Sequence, residues 1–274
     1  MHPTDKITES RTAESRHRAG DRDLLRDALR DQADRGQTKS DIVLLSVQRL
    51  LRRGAITNLA KMLGRMHPAD VAKVIVHLSS PKEKREVFEL VRGDSKRGQV
   101  LSELDTDSIT QVLADLLQSD IAWLIKDLGP DDVAYILGVL PEERAKEILS
   151  LMRTEDSTEV ADILKYPKDT AGGIMTTEFF ALSEDATAQD AIRRLQEATD
   201  AEMVFYIYVT DKDERLVGVL SLRQLLTVPP STPLKNIATR DVISVSVDMD
   251  QEEVARQVAS YNLLAIPVVD KEGV

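Results

Sequence analysis

The sequence predicts an α plus α/β chain: a helical N-terminal half of stacked repeats, then two tandem α/β units, the second cut short. Three observations carry this. Apolar residues recur at helical spacing from Asp21 to Met152, short β-branched and aromatic runs replace them after Met175, and that second pattern begins again about sixty residues later.

Residues 1–20 are polar and without period, which predicts a disordered lead-in. Val43, Leu44, Val47, Leu50 and Leu51 then fall at helix spacing behind a candidate cap at Ser40, and Gly54 stands where a helix would end. Three stretches resemble one another: "MHPADVAKVIVHL" (66–78), "LDTDSITQVLADL" (104–116) and "LGPDDVAYILGVL" (128–140). Each opens with Pro68, Thr106 or Pro130, an Asp in the first turn, and then an apolar stripe. Second helices are predicted from Pro81 and Pro141. Such helix–turn–helix units bury their apolar faces only by stacking, which predicts a superhelix. Their uneven spacing, 38 and then 24 residues, also fits an irregular helical bundle.

In the C-terminal half, "FFALS", "VFYIYVT" and "LVGVLS" read as strands. With the helices "TAQDAIRRLQEA" and "LRQLL" they give the order strand, helix, strand, strand, helix. The second copy starts at "DVISVSVDMDQEEVARQV" and reaches "AIPVVDKEGV" at Val274, where its last strand and helix should follow, so a longer natural chain is expected.

Composition narrows the function. With 42% hydrophobic but only 4% aromatic residues, the chain lacks the ring density of a base-stacking platform. There is no cysteine, which removes disulfides and thiolate metal sites. No segment approaches the roughly 18 apolar residues that span a bilayer, and the start lacks the apolar core of a signal peptide, so this segment is expected to be soluble and cytoplasmic. The net charge of −11 is unevenly spread: residues 1–100 carry 21 Lys+Arg against 14 Asp+Glu, residues 101–200 carry 8 against 22, and residues 201–274 carry 7 against 11. The acidic middle calls for an inorganic cation, a basic partner or the basic first third of the same molecule, and disfavours nucleic acid. No GxSxG elbow, P-loop or HExxH motif is present, so no enzyme is predicted. His67 and His77 suit surface or helix-satisfied roles, and Trp123, in "DIAWLIKDL", is expected in the core. The basic run "LRRGAI" reads as a solvated helix end.

The tandem resembles a CBS domain pair, and "YPKDTAGGIMTTEFFAL" (166–182) resembles the segment that enters that pair in one family. With "FYIYVTD...GVLSLRQLL" and "DMDQEEVARQVASYNLLAIPVVD", residues 40–274 look like the cytosolic part of an MgtE-type magnesium transporter or channel. The resemblance implies a right-handed, armadillo-like helical domain over 21–165, a linker over 166–174, one CBS repeat over 175–237 and an incomplete one over 238–274. It also implies a homodimer through the CBS domains, attachment to the protein's own transmembrane pore, and a place on the cytoplasmic face of the membrane. Magnesium is the implied ligand, held by or beside Asp127, Asp131, the Gly172 carbonyl, Asp250 and Glu252. Closure of the pore when Mg²⁺ bridges the acidic faces of the two domains is the implied function.

ATP is the second implied ligand, at Tyr206 and Arg223. Departures count against it: Gln224 stands where an acid commonly holds the ribose, and Leu263 replaces an aromatic residue. Asn262 likewise replaces an acid expected at a cation site. The competing reading is a soluble helical-repeat adaptor whose CBS pair senses adenine nucleotide.

The residues alone leave simpler roles open. Gly172 and Gly173 read as a turn, Asp250 as a helix cap, and Tyr206 as ordinary sheet packing. Asp127 and Asp131 lie close to each other whether the Gly129-Pro130 step is loop or cap.

Overall fold

The computed structural model describes residues 41–197 and 206–274, so the lead-in, Ser40 and the first two residues of "VFYIYVT" lie outside the described residues. Packing divides the chain into two compact units: Met1–Arg92 with Glu103–Ser108, and Gly93–Ser102 with Ile109–Val274.

In the first unit, helix α1 covers 41–52 and ends as the glycine foreshadows. Gly54 adopts φ +62°, its N–H donates to the Leu51 carbonyl at 2.9 Å, and Ala55 N–H donates to Leu50 at 3.0 Å. That pair of bonds closes the last turn only if one residue goes left-handed, a conformation glycine adopts without a Cβ penalty. α2 (Ile56–Gly64), α3 (Pro68–Val76) and α4 (Pro81–Glu89) follow, burying Leu59, Leu63, Val71, Ile75, Val87 and Phe88. His67 caps α3: its Nδ1 accepts from Ala69 N–H at 3.3 Å, while His77 Nδ1–H donates to the Lys73 carbonyl at 2.7 Å. Both histidines are thus satisfied within helix ends.

The same unit holds a buried ammonium. Lys84 is 7% exposed, and its Nζ donates to Ser108 Oγ at 2.8 Å. Asp105, just before α6 (Thr106–Leu113), accepts from Ser108 N–H at 2.8 Å, and the bonds from Ser108 hold its carboxyl below the ordinary range.

In the second unit the helices continue as α5 (Asp94–Ser102), α7 (Gln118–Ile125), α8 (Pro130–Gly138), α9 (Glu142–Ser150) and α10 (Thr154–Ile163). α5 packs on α7, α7 on α9, and α8 on α10, the skip-one contacts of stacked helical pairs. Pro68, Thr106 and Pro130 each occupy the first position of their helix, as the repeat predicts. The sequence pattern did not resolve α5 or α7.

The α/β part runs α11 (Ala171–Ile174), β1 (Ala181–Ser183), α12 (Ala188–Glu197), β2 (Tyr206–Thr210), β3 (Leu216–Ser221), α13 (Leu222–Leu226), β4 (Val245–Ser246), α14 (Gln251–Tyr261) and β5 (Val268–Val269). β1 pairs parallel to β2 and β2 antiparallel to β3, while β4 pairs parallel to β5. The second sheet is therefore the first without its third strand. Leu182, Ala188, Ala191, Ile207, Val209, Leu220, Leu225 and Leu234 fill the first core; Ala171, Val245 and Val254 fill the second.

The turn after the central strand recurs too. Asp211 Oδ1 accepts from Asp213 and Arg215 N–H, and Asp270 Oδ1 accepts from Glu272 and Val274 N–H. Glu214 at φ 61° answers to Gly273 at φ 87°. The expected helical region followed by repeated α/β units is thus what the chain contains.

Candidate functional site

The two glycines at the entry to the α/β part are there for close approach. A Cβ on Gly172 would lie 2.6 Å from Cγ of the Tyr166 ring, and one on Gly173 would lie 2.2 Å from the Pro167 carbonyl oxygen. Neither residue needs a left-handed φ. The backbone they free is pinned to the second repeat: Ala171 N–H donates to the Met249 carbonyl at 2.7 Å and Gly172 N–H to Val247 at 2.9 Å. α11 also packs against α8 and α14. Of the segments expected to meet magnesium, α11 with Gly172 thus touches α8, the helix of Asp131, and α14, the helix that Asp250 caps and that holds Glu252.

Asp131 and Asp250 each sit at a helix N-terminus. Asp131 lies in the first turn of α8 with its Oδ1 over Gly129, the residue that caps that helix. Asp127 is exposed just before that cap, 4.0 Å from Lys126 Nζ. Asp250 is the N-cap of α14, accepting from Glu252 N–H at 2.8 Å, and both residues are exposed. Capping orients one carboxylate oxygen toward the helix and leaves the other to solvent. Among the described residues, no group of three or more His, Cys, Asp or Glu side chains is placed to hold a metal ion.

The acids that follow the glycines in sequence have partners within the first repeat or just after it. Glu184 lies 3.7 Å from Arg240, Asp185 accepts from Lys235 at 2.8 Å, and Asp190 closes a capping box with Thr187 that holds its carboxyl below the ordinary range.

Trp123 corrects its sequence reading. It is 57% exposed rather than core, because the buried ridge of α7 is Ile121, Ala122, Leu124 and Ile125. Its indole N–H donates to Asp94 Oδ2 at 3.0 Å, and Lys126 Nζ lies 3.7 Å over the ring. Bonds from Arg97 and the indole hold the Asp94 carboxyl below its usual range. No periodicity announces this cluster, whose members come from two helices.

For the nucleotide residues, Tyr206 is half-buried on β2 opposite Ser221 of β3, and Arg223 is exposed on α13 two positions beyond Ser221. The pair thus shares one end of the sheet. Tyr208, on the same face, packs edge-on against Phe179 at 6.3 Å, and burial raises its hydroxyl pKa. Gln224 is fully used: its Oε1 accepts from Ser221 N–H and Oγ at 2.8 and 2.9 Å, completing the cap of α13.

Comparison with known proteins follows the same division. The "MgtE intracellular N domain" matches residues 66–169, and the "CBS domain" matches 171–231 and 234–274. Over 112 residues the chain is 46% identical to "Magnesium transporter MgtE" of Thermus thermophilus, covering 40% of this chain and 25% of that one. The counterpart in Enterococcus faecalis is 43% identical over 110 residues, covering 40% and 24%. The aligned part thus spans about a quarter of the length of these curated relatives. A crystal structure of the cytosolic domain of the Mg²⁺ channel MgtE in complex with ATP is 34% identical with a TM-score of 0.71, over 84% of this chain and 94% of that one. The chain belongs to the MgtE family.

The crystal structure of the soluble part of a magnesium transporter is similar as well, with TM-score 0.66 and 27% identity over 85% and 92% of the two chains. A weak match to an inosine-5′-monophosphate dehydrogenase of Nitrosopumilus maritimus, 26% identical over 113 residues, is confined to the CBS repeats. Those repeats occur on unrelated proteins, so this match says nothing of the activity.

Two of the residues expected to depart from the resemblance have local reasons. Gln224 completes the α13 cap, and Asn262 ends α14 at φ 52°, the left-handed conformation that asparagine tolerates better than most side chains. No such reason is visible for Leu263. No helix among the described residues is long and apolar enough to cross a membrane.

Proposed function

We propose that this chain is the cytosolic magnesium-sensing region of a membrane magnesium transporter or channel, and that Mg²⁺ bridging its helical and CBS faces closes the pore. The similarity to the cytosolic domain of an Mg²⁺ channel over 84% of the chain carries this reading. The donor set supports it. Asp127, Asp131, Asp250, Glu252 and the Gly172 carbonyl would offer hard oxygen ligands on or beside α8, α14 and α11. Mg²⁺ keeps several of its waters and takes only one or two carboxylates at a time.

Because those carboxylates are not clustered in advance, the ion would have to draw them together. Their mutual repulsion would loosen the arrangement when the ion is scarce. Several weak sites acting together give a steeper response than one tight site. In the full-length protein the pore domain is the partner of this region. The pair of CBS repeats would dimerise through exposed Leu222 and Leu226 of α13 and Tyr261 and Leu264 at the end of α14.

Small-angle scattering during a magnesium titration tests the reading, with calcium and ATP as separate arms. Compaction with Mg²⁺ is the expected result, and an unchanged radius of gyration across the titration contradicts it. ATP is the second ligand in this reading, supported by the nucleotide complex of the related channel domain and by the shared placement of Tyr206 and Arg223. Arg223→Ala should weaken ATP binding about tenfold through loss of a phosphate partner. Equal ATP binding by wild type and variant removes Arg223 from that role.

A further inference from the structure

We infer that the segment entering the first CBS repeat is structurally part of the second, and that the two repeats exchange equivalent straps. The relation is visible bond by bond. Gln251 N–H donates to the Asp169 carbonyl at 2.9 Å, Thr170 bridges Asp250, and Ala171 and Gly172 donate to Met249 and Val247. At the other repeat, Ala188 N–H donates to Thr232 at 2.9 Å and Pro233 bridges Thr187, while Leu234 and Lys235 donate to Ala186 at 2.8 Å and Glu184 at 3.0 Å. Each strap residue of the first set lies 63 positions before its counterpart in the second, and each of its partners lies 63 positions after the corresponding partner.

The cores agree with the bonds. Ala171, 1% exposed, is buried with Val245 and Val254 of the second repeat; Leu234, 0% exposed, is buried with Leu182 and Ile207 of the first. Each strap therefore leaves the sequence neighbourhood of one repeat and completes the core of the other.

The consequence concerns which repeat communicates with the helices. The chain leaves α10, stacks Tyr166 on Gly172, and fastens to β4 and α14 before it reaches β1. Opening of the second repeat thus releases the strap that joins it to α8 and α10, whereas opening of the first leaves that strap in place. Local stability is shared within such cooperative units. This inference stands without the magnesium reading, since it concerns the metal-free chain.

Amide hydrogen exchange of the whole chain tests it. Val245→Ala, which thins the second core, should lower protection of the Ala171 and Gly172 amides at least about tenfold and leave Leu234 and Lys235 within about threefold. Leu182→Val, which thins the first core, should do the reverse. Loss of protection at 171–172 on Leu182→Val, or equal loss at both straps with either variant, overturns the inference. Should a variant not fold, the wild-type chain in low urea serves instead. Amides 171–172 should then exchange with the free energy and urea dependence of α14, and following those of β1 and β2 overturns it equally.

Discussion

Gly173→Ala should lower the stability of the second unit by about 3 kcal/mol, because its new methyl meets backbone that cannot step aside. The added Cβ would lie 2.2 Å from the Pro167 carbonyl oxygen and 2.9 Å from Lys168 Cα. The turn from Pro167 to Thr170 would have to open, and with it the bonds that hold Ala171 and Gly172 to the second repeat. Gly172→Ala meets a side chain instead, the Tyr166 ring at 2.6 Å. Its cost should therefore shrink when Tyr166→Ala is added, by at least about 1 kcal/mol relative to additivity. Urea unfolding of the single and double variants checks both statements. Additive behaviour of the Tyr166–Gly172 pair, or a Gly173→Ala variant within about 0.5 kcal/mol of wild type, would contradict the close-approach account.

Ser108→Val is the second large effect expected, about 2–4 kcal/mol in the first unit. The substitution removes the hydroxyl that receives the Lys84 ammonium and adds a methyl group at a fully buried position, leaving a buried charge without that bond. Adding Lys84→Met should recover most of the loss, since an apolar side chain of similar length needs no partner. The pH dependence follows from Asp105, whose carboxyl is held low first by the Ser108 side chain, then by the Ser108 backbone N–H and the Lys84 charge. A depressed carboxylate stabilises the fold above its unfolded value, about 3.9, and that contribution is lost as pH falls through the lower folded value. The gap between wild type and Ser108→Val should therefore narrow below about pH 4. A gap that stays constant from pH 7 to pH 3 would remove Asp105 from the account.

These residues show what periodicity can and cannot convey. Pro68, Thr106 and Pro130 announced their helices because proline fixes φ and frees no needed N–H at a first position. Gly54 announced a helix end, and the repeat of Leu182 in Val245 announced the second α/β unit, since both are local consequences of side-chain type. Trp123 misled because its neighbours at 121, 122, 124 and 125 are buried and only the phase of α7 tells that it is not.

The candidate acids could be named by residue type, but not their placement. Asp127, Asp250 and Glu252 are exposed and Asp131 is half-buried, while the closeness of α11 to both α8 and α14 depends on pairings far apart in sequence. The expected linker at 166–174 hid a strap for the same reason. Nothing in "DTAGGIMT" says that its backbone partners are Val247 and Met249.

The central claim is that magnesium acts by bridging these acids, and a titration of the Asp127→Asn, Asp131→Asn, Asp250→Asn variant beside wild type tests it most directly. Small-angle scattering should show the wild-type chain becoming more compact as Mg²⁺ rises, while the triple variant, already relieved of charge repulsion, shows no magnesium-dependent change. A variant that compacts at the same magnesium concentration and to the same extent as wild type would contradict the account.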